Sequence, residues 1–256
     1  MLSSTIGIAA LTVLLLMHLV FVYALRIKNN SIVDVWWGLG FALIAVISLC
    51  ASGLYLPRQL IITAMTLMWA TRISLHIYLR NRGKGEDPRY TKWRTQWGKN
   101  VVWRSYLQVF MLQGLFMLII AMPIIVVNAS TVGTITKLVG IGCMVWLLGI
   151  CMEALADYQL KRFLQDPAHR GHIMQEGLWR YSRHPNYVGE MLIWWGMFLV
   201  AADLPHGMLA LMSPIVITIL LRFVSGVPLA EEQLKQLPEF GDYARRTNIF
   251  LPWFRR

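Results

Sequence analysis

An all-α membrane bundle is the fold this sequence predicts: a polytopic protein of seven transmembrane helices, N-terminus outside and C-terminus in the cytoplasm. Three observations predict it. Hydrophobic residues make up 57% of the 256 and charged residues only 14%, against ~45–50% and ~25% in soluble domains. The apolar residues gather into runs of about 20, the length that crosses ~30 Å of hydrocarbon at ~1.5 Å per residue. The basic residues fall on alternate connections between those runs, as the positive-inside rule requires of cytoplasmic segments.

The runs cover approximately 3–25, 33–52, 58–79, 105–127, 134–156, 186–203 and 207–224. The first is too long for a signal peptide, and its positive charges, Arg26 and Lys28, follow it rather than precede it. It reads as a first span. All the Lys and Arg residues except Arg58, Arg72 and Lys137 then lie in segments 26–32, 80–104, 160–186 and the C-terminal tail, with Arg222 at the end of the last run counted with the tail. That asymmetry sets the orientation. It also accounts for most of the +11 net charge without nucleic acid as a partner. The connections 53–57, 128–133 and 204–206 are short, whereas 80–104, 160–185 and 225–256 are long. Loops carry function more often than the elements they join, so the chemistry is expected at the cytoplasmic face. A single domain over 1–256 is expected, with its motif-bearing region in 134–256 and a monomer as the default.

Cysteine and histidine exclude several classes. Cys50, Cys143 and Cys151 stand alone in apolar runs, without CxxC or ligand spacing. The six histidines form no HxxxH box, and no metal is expected, even at the His169–His172 pair.

Ionisable residues inside spans cost ~2.5–3.5 kcal/mol each on insertion scales and therefore point to function. Here they are Asp34, Arg72, His76, Glu153, Asp157 and Glu190. Arg72, His76 and Arg80 share one stripe of the third helix. Glu153, Asp157 and Lys161 do so on the fifth, and Asn186, Glu190 and Trp194 on the sixth. These stripes are expected to face one another across a wet cavity, since lipid does not tolerate them. Snorkelling by Arg72, a first-turn dipole role for Asp34 and an i,i+4 pair between Asp157 and Lys161 are the structural alternatives.

The richest segment is Gly177-Leu-Trp-Arg-Tyr-Ser-Arg-His-Pro-Asn-Tyr-Val-Gly-Glu190. Pro185 suits the first turn of a helix, and Arg180, Arg183 and His184 beside that helix start make an anion site. Trp179, Tyr181 and Tyr187 suit the membrane interface, but anchoring alone leaves Asn186 and Glu190 unexplained. A second basic cluster, Arg80-Asn-Arg-Gly-Lys-Gly-Glu-Asp-Pro-Arg-Tyr90, carries glycines that let a phosphate approach the backbone. It is neither a P-loop nor a GxGxxG fingerprint.

Gly177 to Glu190, with Asp157 upstream, resembles the C-terminal domain of the steroid 5α-reductase family. The wider resemblance is to bacterial members long filed as a domain of unknown function. It also covers Ser31-Ile-Val-Asp-Val-Trp-Trp-Gly38, the 80–90 cluster and Ser225-Gly-Val-Pro-Leu229 through Pro252. The resemblance implies a seven-helix membrane enzyme that uses NADPH to reduce a C=C bond conjugated to a ketone, as in a 3-oxo-Δ4 steroid. The lipophilic substrate would enter from the bilayer, among membrane lipids, with the cofactor site facing the cytoplasm. Carried onto this chain, the resemblance implies cofactor contacts at Asn81, Asp157 and Asn186, and at Arg72 with a one-residue offset. Arg82, Lys84, Arg170 and His172 would join them around phosphates and ribose, and Tyr181, Arg183, His184, Asn186 and Tyr187 toward the nicotinamide. The second helix offers Asp34 where steroid reductases have an adjacent Gln-Glu. Trp69 stands where they carry a Tyr. The proton donor is therefore open among Asp34, Glu190 and Tyr187.

The same core motif resembles the isoprenylcysteine and phospholipid methyltransferases. These share Arg-His-Pro-x-Tyr and a tail like Glu231-Glu-Gln-Leu…Phe240-Gly-Asp-Tyr243, and they use S-adenosylmethionine. That cofactor carries no phosphate and leaves the 80–94 cluster without a role. A non-enzymatic lipid-binding protein is a third class, with no nucleotide affinity.

Overall fold

The computed structural model describes residues 1–250. Pro252, Arg255 and Arg256, counted above in the tail, lie outside the described residues. The described chain is helical, without strands, and six of its helical stretches are long and apolar enough to cross a membrane. It is a membrane protein built from α-helices.

Four stretches follow the expected runs closely. They are α1 (Leu2–Ile27), α2 (Ile32–Ser52), α3 (Pro57–Asn81) and α8 (Lys137–Gln165). Their ends have local causes. Lys28 takes the left-handed conformation after α1 (φ 53°), so that Asn29 N–H reaches back to the Ala24 carbonyl. Gly53 ends α2 in the same way, at φ 64°. Pro57 opens α3, and Gln59 folds back to accept the Leu56 N–H at 3.0 Å.

The expected run 105–127 is longer and more broken than an apolar count suggests. Helix starts at Pro88, with Asp87 accepting the Arg89 N–H at 2.9 Å as N-cap. It proceeds through α4 (Pro88–Trp97), a 3₁₀ turn, α5 (Val101–Arg104), a π-helical stretch at Ser105–Met111 and α6 (Leu112–Ile120). Pro123 has no N–H to continue the ladder, so the helix bends at Ala121 and resumes as the short α7 (Met122–Asn128).

The expected run 186–203 is α9 (Pro185–Ala201), only 17 residues and about 26 Å long. It falls just short of the six long stretches. The last long stretch, Gly207–Leu234, comprises a 3₁₀ start, α10 (Met212–Ile219), a second π stretch at Leu220–Val224 and α11 (Val227–Leu234). Then comes α12 (Phe240–Arg246).

The chain divides into two compact units: Met1–Val139 with Val200–Ser213, and Gly140–Leu199 with Pro214–Arg256. In the first unit, α2 is held between neighbours by two glycines. A β-carbon on Gly38 would lie 2.5 Å from Ser74 Oγ and 2.8 Å from the Ala70 carbonyl of α3, while Gly40 abuts Met117 of α6 and Leu16 of α1. Gly38-Leu-Gly40 is thus a packing device. The exceptional Arg58 is 1% exposed and is neutralised. Its Nη1 donates to Asp203 at 2.5 Å and its Nη2 to the Thr134 carbonyl at 2.6 Å. Asp203, which also accepts from Thr136 at 2.7 Å, is held below the usual carboxylate range. Partial burial raises it, but the bonds from Arg58 and Thr136 outweigh that.

Candidate functional site

In the second unit, glycines set the distance between α8 and α9. A β-carbon on Gly149 would lie 2.7 Å from the Gly189 carbonyl, and one on Gly189 would lie 2.6 Å from Glu153 N. One on Gly196 would lie 2.6 Å from the Gly142 carbonyl. Gly142 and Gly149, like Gly189 and Gly196, are two turns apart and so share a helix face. Small residues at such positions let main chains touch where lipid supplies no hydrophobic drive.

That contact brings two of the expected residues together. One turn past the Gly189 contact, at the start of α9, Asn186 Nδ2 donates to Asp157 Oδ1 of α8 at 3.3 Å. Asn186 Oδ1 is buried with no hydrogen-bond partner among the described residues. Glu153, one turn before Asp157 on α8, is 2% exposed. Glu190 follows Asn186 by one turn and is half-buried.

The turn into α9 is clamped from both sides. Gly177, at φ 56°, leaves room for the Gln159 carboxamide, whose Oε1 accepts the Leu178 N–H at 3.0 Å. Trp179 is buried and donates its indole N–H to the Ala156 carbonyl at 3.1 Å. Arg183 donates from Nε to Glu231 Oε1 at 2.8 Å and from Nη1 to the Ala244 carbonyl at 3.0 Å. His184 Nε2 lies 3.2 Å from the same Glu231 oxygen. The Tyr243 hydroxyl donates to the Trp179 carbonyl at 2.7 Å. Burial pushes the His184 pKa below its ordinary value, and Glu231 only partly opposes this. The ring of Tyr187 stacks on that of His184, with centroids 5.1 Å apart and planes within 7°. The buried Arg183 and His184 therefore join α9 to α11 and α12.

The remaining expected residues of this unit lie nearer water. Arg170 and Tyr181 are exposed. His172 is exposed, with Nδ1 2.6 Å from Glu239 Oε1; Glu239 also accepts the Ile173 N–H at 3.2 Å. Its carboxyl sits below the usual range, because His172 and that N–H favour the charged form.

In the first unit, Arg72 is half-buried on α3. Asn81 closes that helix and accepts from Arg80 Nε at 3.3 Å; Arg82 and Lys84 are exposed. Asp34 receives the Tyr90 hydroxyl on one oxygen at 2.6 Å and Arg89 Nη2 on the other at 3.0 Å. Arg89 also donates from Nε to Asp87 at 2.9 Å, and Arg94 grips Glu86 with two bonds, at 2.8 and 3.0 Å. Glu86 accepts the Asn30 N–H as well, at 2.6 Å. Burial raises Glu86 and Asp87, but their arginine partners more than reverse it, and both sit low. The 80–94 cluster is thus partly self-neutralised and folded onto the α1–α2 turn. Among the basic residues of its loop, Arg82 and Lys84 are left facing water.

Sequence reasoning missed Glu231, Glu239, Glu86 and Asp87 as the partners that fix these segments. For Glu86 and Asp87 the signal was present, since both stand within a few residues of the arginines they pair with; Glu231 and Glu239 lie more than forty residues from Arg183 and His172 and left none. Among the described residues no three His, Cys, Asp or Glu side chains gather as metal ligands.

A family model described as a protein of unknown function, DUF1295, matches residues 20–247. No curated protein and no solved structure matches the chain. The match runs from within α1 past the end of α12, through both units and every element of the core motif, and the chain belongs to the DUF1295 family.

Proposed function

We propose that this protein is an NADPH-dependent membrane oxidoreductase, similar to the steroid 5α-reductases, that reduces the C=C bond of a lipophilic enone such as a 3-oxo-Δ4 steroid. The observation that carries the reading is the Asp157–Asn186 pair at the α8–α9 glycine contact, with the buried Asn186 Oδ1 left to receive a donor. The residues present fit a nucleotide. A carboxamide with an open acceptor suits an amide or hydroxyl donor, and a carboxylate beside it suits a ribose hydroxyl. NADPH, when bound, supplies a hydride.

The chain's own residues orient and polarise. Reducing an enone leaves negative charge on the ketone oxygen, and a donor facing that oxygen stabilises it. Asp34 already accepts from both Tyr90 and Arg89, which suits an ionised carboxylate rather than a donor. The donor is assigned to α9. Tyr187 there is held flat against His184, and Glu190 lies three residues on, on the same face. Tyr187 donates as a neutral phenol; Glu190 donates only when its carboxyl carries a proton. Tyr187→Phe and Glu190→Gln separate the two: the variant that loses turnover while keeping cofactor affinity identifies the donor. Within the unit that holds Asp157 and Asn186, the exposed Arg170 is a cation available for a phosphate, and the cofactor site would face the cytoplasm of a bacterial inner membrane.

The methyltransferase alternative keeps one support, which is the shared Arg-His-Pro-x-Tyr element and Glu231–Tyr243 tail. Those shared residues bond mainly to one another here: Arg183 and His184 to Glu231, and Tyr243 to Trp179. They hold the scaffold and do not choose the cofactor. The test is transfer of deuterium from each face of stereospecifically labelled NADPH to a 3-oxo-Δ4 steroid. Label at the product carbon supports the reading. No transfer, together with methyl transfer from S-adenosylmethionine to a lipid acceptor, overturns it.

A further inference from the structure

We propose that the seam between α1 and the α5–α6 segment is a seat for one acidic phospholipid, its acyl chain in an apolar groove and its headgroup under a basic and aromatic collar. The inference is independent of the cofactor reading. The groove is an open one of about 150 Å³ lined by apolar residues, among them Ala10, Val13 and Leu14 of α1 and Met111, Gly114 and Leu118 opposite. Gly114 opens it. A β-carbon there would lie 3.0 Å from Val13 and 3.1 Å from Met17, so the two helices meet at that point with little side chain between them. The π stretch at Ser105–Met111 precedes it, and a π turn shifts the register of the side chains beyond it.

The two segments run antiparallel. Val13 and Met17 meet Gly114, while Phe21 meets Phe110 and Tyr106, with ring centroids 5.2 and 5.0 Å apart. Followed toward the C-terminus of α1, the seam continues beyond the groove to Tyr106, whose ring centroid lies 6.1 Å from that of His18 and 6.2 Å from that of Trp103. Trp103 is 64% exposed, as expected of a ring seated at a headgroup boundary. Within seven residues of Tyr106 on one segment and of Phe21 on the other stand Lys99 and Arg104, and Arg26 and Lys28, all exposed. Lys99 and Arg104 make no ion pair or hydrogen bond through their side chains among the described residues, unlike Arg89 and Arg94 on the same stretch. Four solvated cations above an apolar groove, with no acidic residue interleaved at positions 99–104 or 26–28, match an anionic headgroup on an acyl chain.

The test uses the full chain reconstituted in vesicles of equimolar phosphatidylcholine and phosphatidylglycerol, then extracted in detergent, with the retained lipid quantified by mass spectrometry. Phosphatidylglycerol is expected to be retained well above phosphatidylcholine. Lys99→Gln and Arg104→Gln, both surface changes, should each lower that ratio about fivefold at low salt. Ala10→Phe, which fills the groove from its lipid-facing side, should lower retention of both lipids and leave their ratio unchanged. Equal retention of the two lipids, a ratio unmoved by both charge variants, or undiminished retention in Ala10→Phe overturns the proposal.

Discussion

Adding a single methyl group at Gly189 should separate two helices and disable the site. The β-carbon of Gly189→Ala would sit 2.6 Å from Glu153 N and 2.7 Å from the Gly149 carbonyl, where ordinary contact is 3.4–4 Å. Both neighbours are backbone, so no flexible side chain can move aside. The helices must part by about 0.7 Å or more to restore normal packing. The Asn186–Asp157 bond, already 3.3 Å long, then stretches to about 4 Å and ceases to be a hydrogen bond. Overpacking of this kind costs about 1–3 kcal/mol, or roughly 2–10 °C in Tm for a chain of this size. Gly140→Ala on the facing helix, α8, is the control. Nothing lies within 4 Å of its β-carbon, and higher helix propensity should leave stability unchanged or raised by up to ~1 kcal/mol. Thermal unfolding in detergent and NADPH titration of both variants provide the assay. Gly189→Ala should melt several degrees below Gly140→Ala and bind NADPH at least tenfold more weakly. Equal melting and equal affinity in the two variants would refute the claim that this backbone contact builds the site.

Other outcomes follow from the paired charges. Glu231→Ala strands the buried Arg183 and should cost about 3–5 kcal/mol, read as a large drop in Tm; an unchanged Tm contradicts the clamp role. Asp203→Ala leaves Arg58 uncompensated at 1% exposure, and about 3 kcal/mol should be lost, the low end for a broken buried pair because Asp203 itself meets water. Asp203 also predicts a pH dependence. Its folded-state pKa lies below the ordinary 3.8, so its stabilisation is complete above that value and fades as pH falls through the lower folded value. Stability curves should show this acid loss in the wild type and lack it in Asp203→Asn. His184 acts in a higher window. Its folded pKa is depressed below 6.5, so the unfolded chain binds the extra proton and stability declines as pH falls below 6.5 toward the folded value. His184→Gln should flatten that decline, and a slope retained in the variant assigns it elsewhere.

Six of the seven expected spans were legible because hydrocarbon thickness imposes a length on any apolar run. That Asp157 and Asn186 would meet was legible because a charge and an amide in or beside such runs turn away from lipid toward one another. The stretch beginning at Pro88 was not, because the polar residues from Pro88 to Asn100 conceal a helix that hydropathy alone cannot see. Neither π segment leaves a periodic signature, since each inserts one residue into an otherwise regular pattern. The pairings of Asp34 with Arg89 and of Arg183 with Glu231 join positions more than forty residues apart. Nothing local announces such a partner. Arg58 shows the same limit from another side: it broke the charge asymmetry as read along the chain, and its explanation, Asp203, lies beyond α8 and α9 in sequence.

The most direct measurement is calorimetric titration of the purified chain with NADPH and, separately, with S-adenosylmethionine, on the wild type and on Asn186→Ala. One NADPH bound per chain, weakened at least tenfold in the variant, and no heat from S-adenosylmethionine is the predicted result. Saturable binding of S-adenosylmethionine with none of NADPH would contradict it.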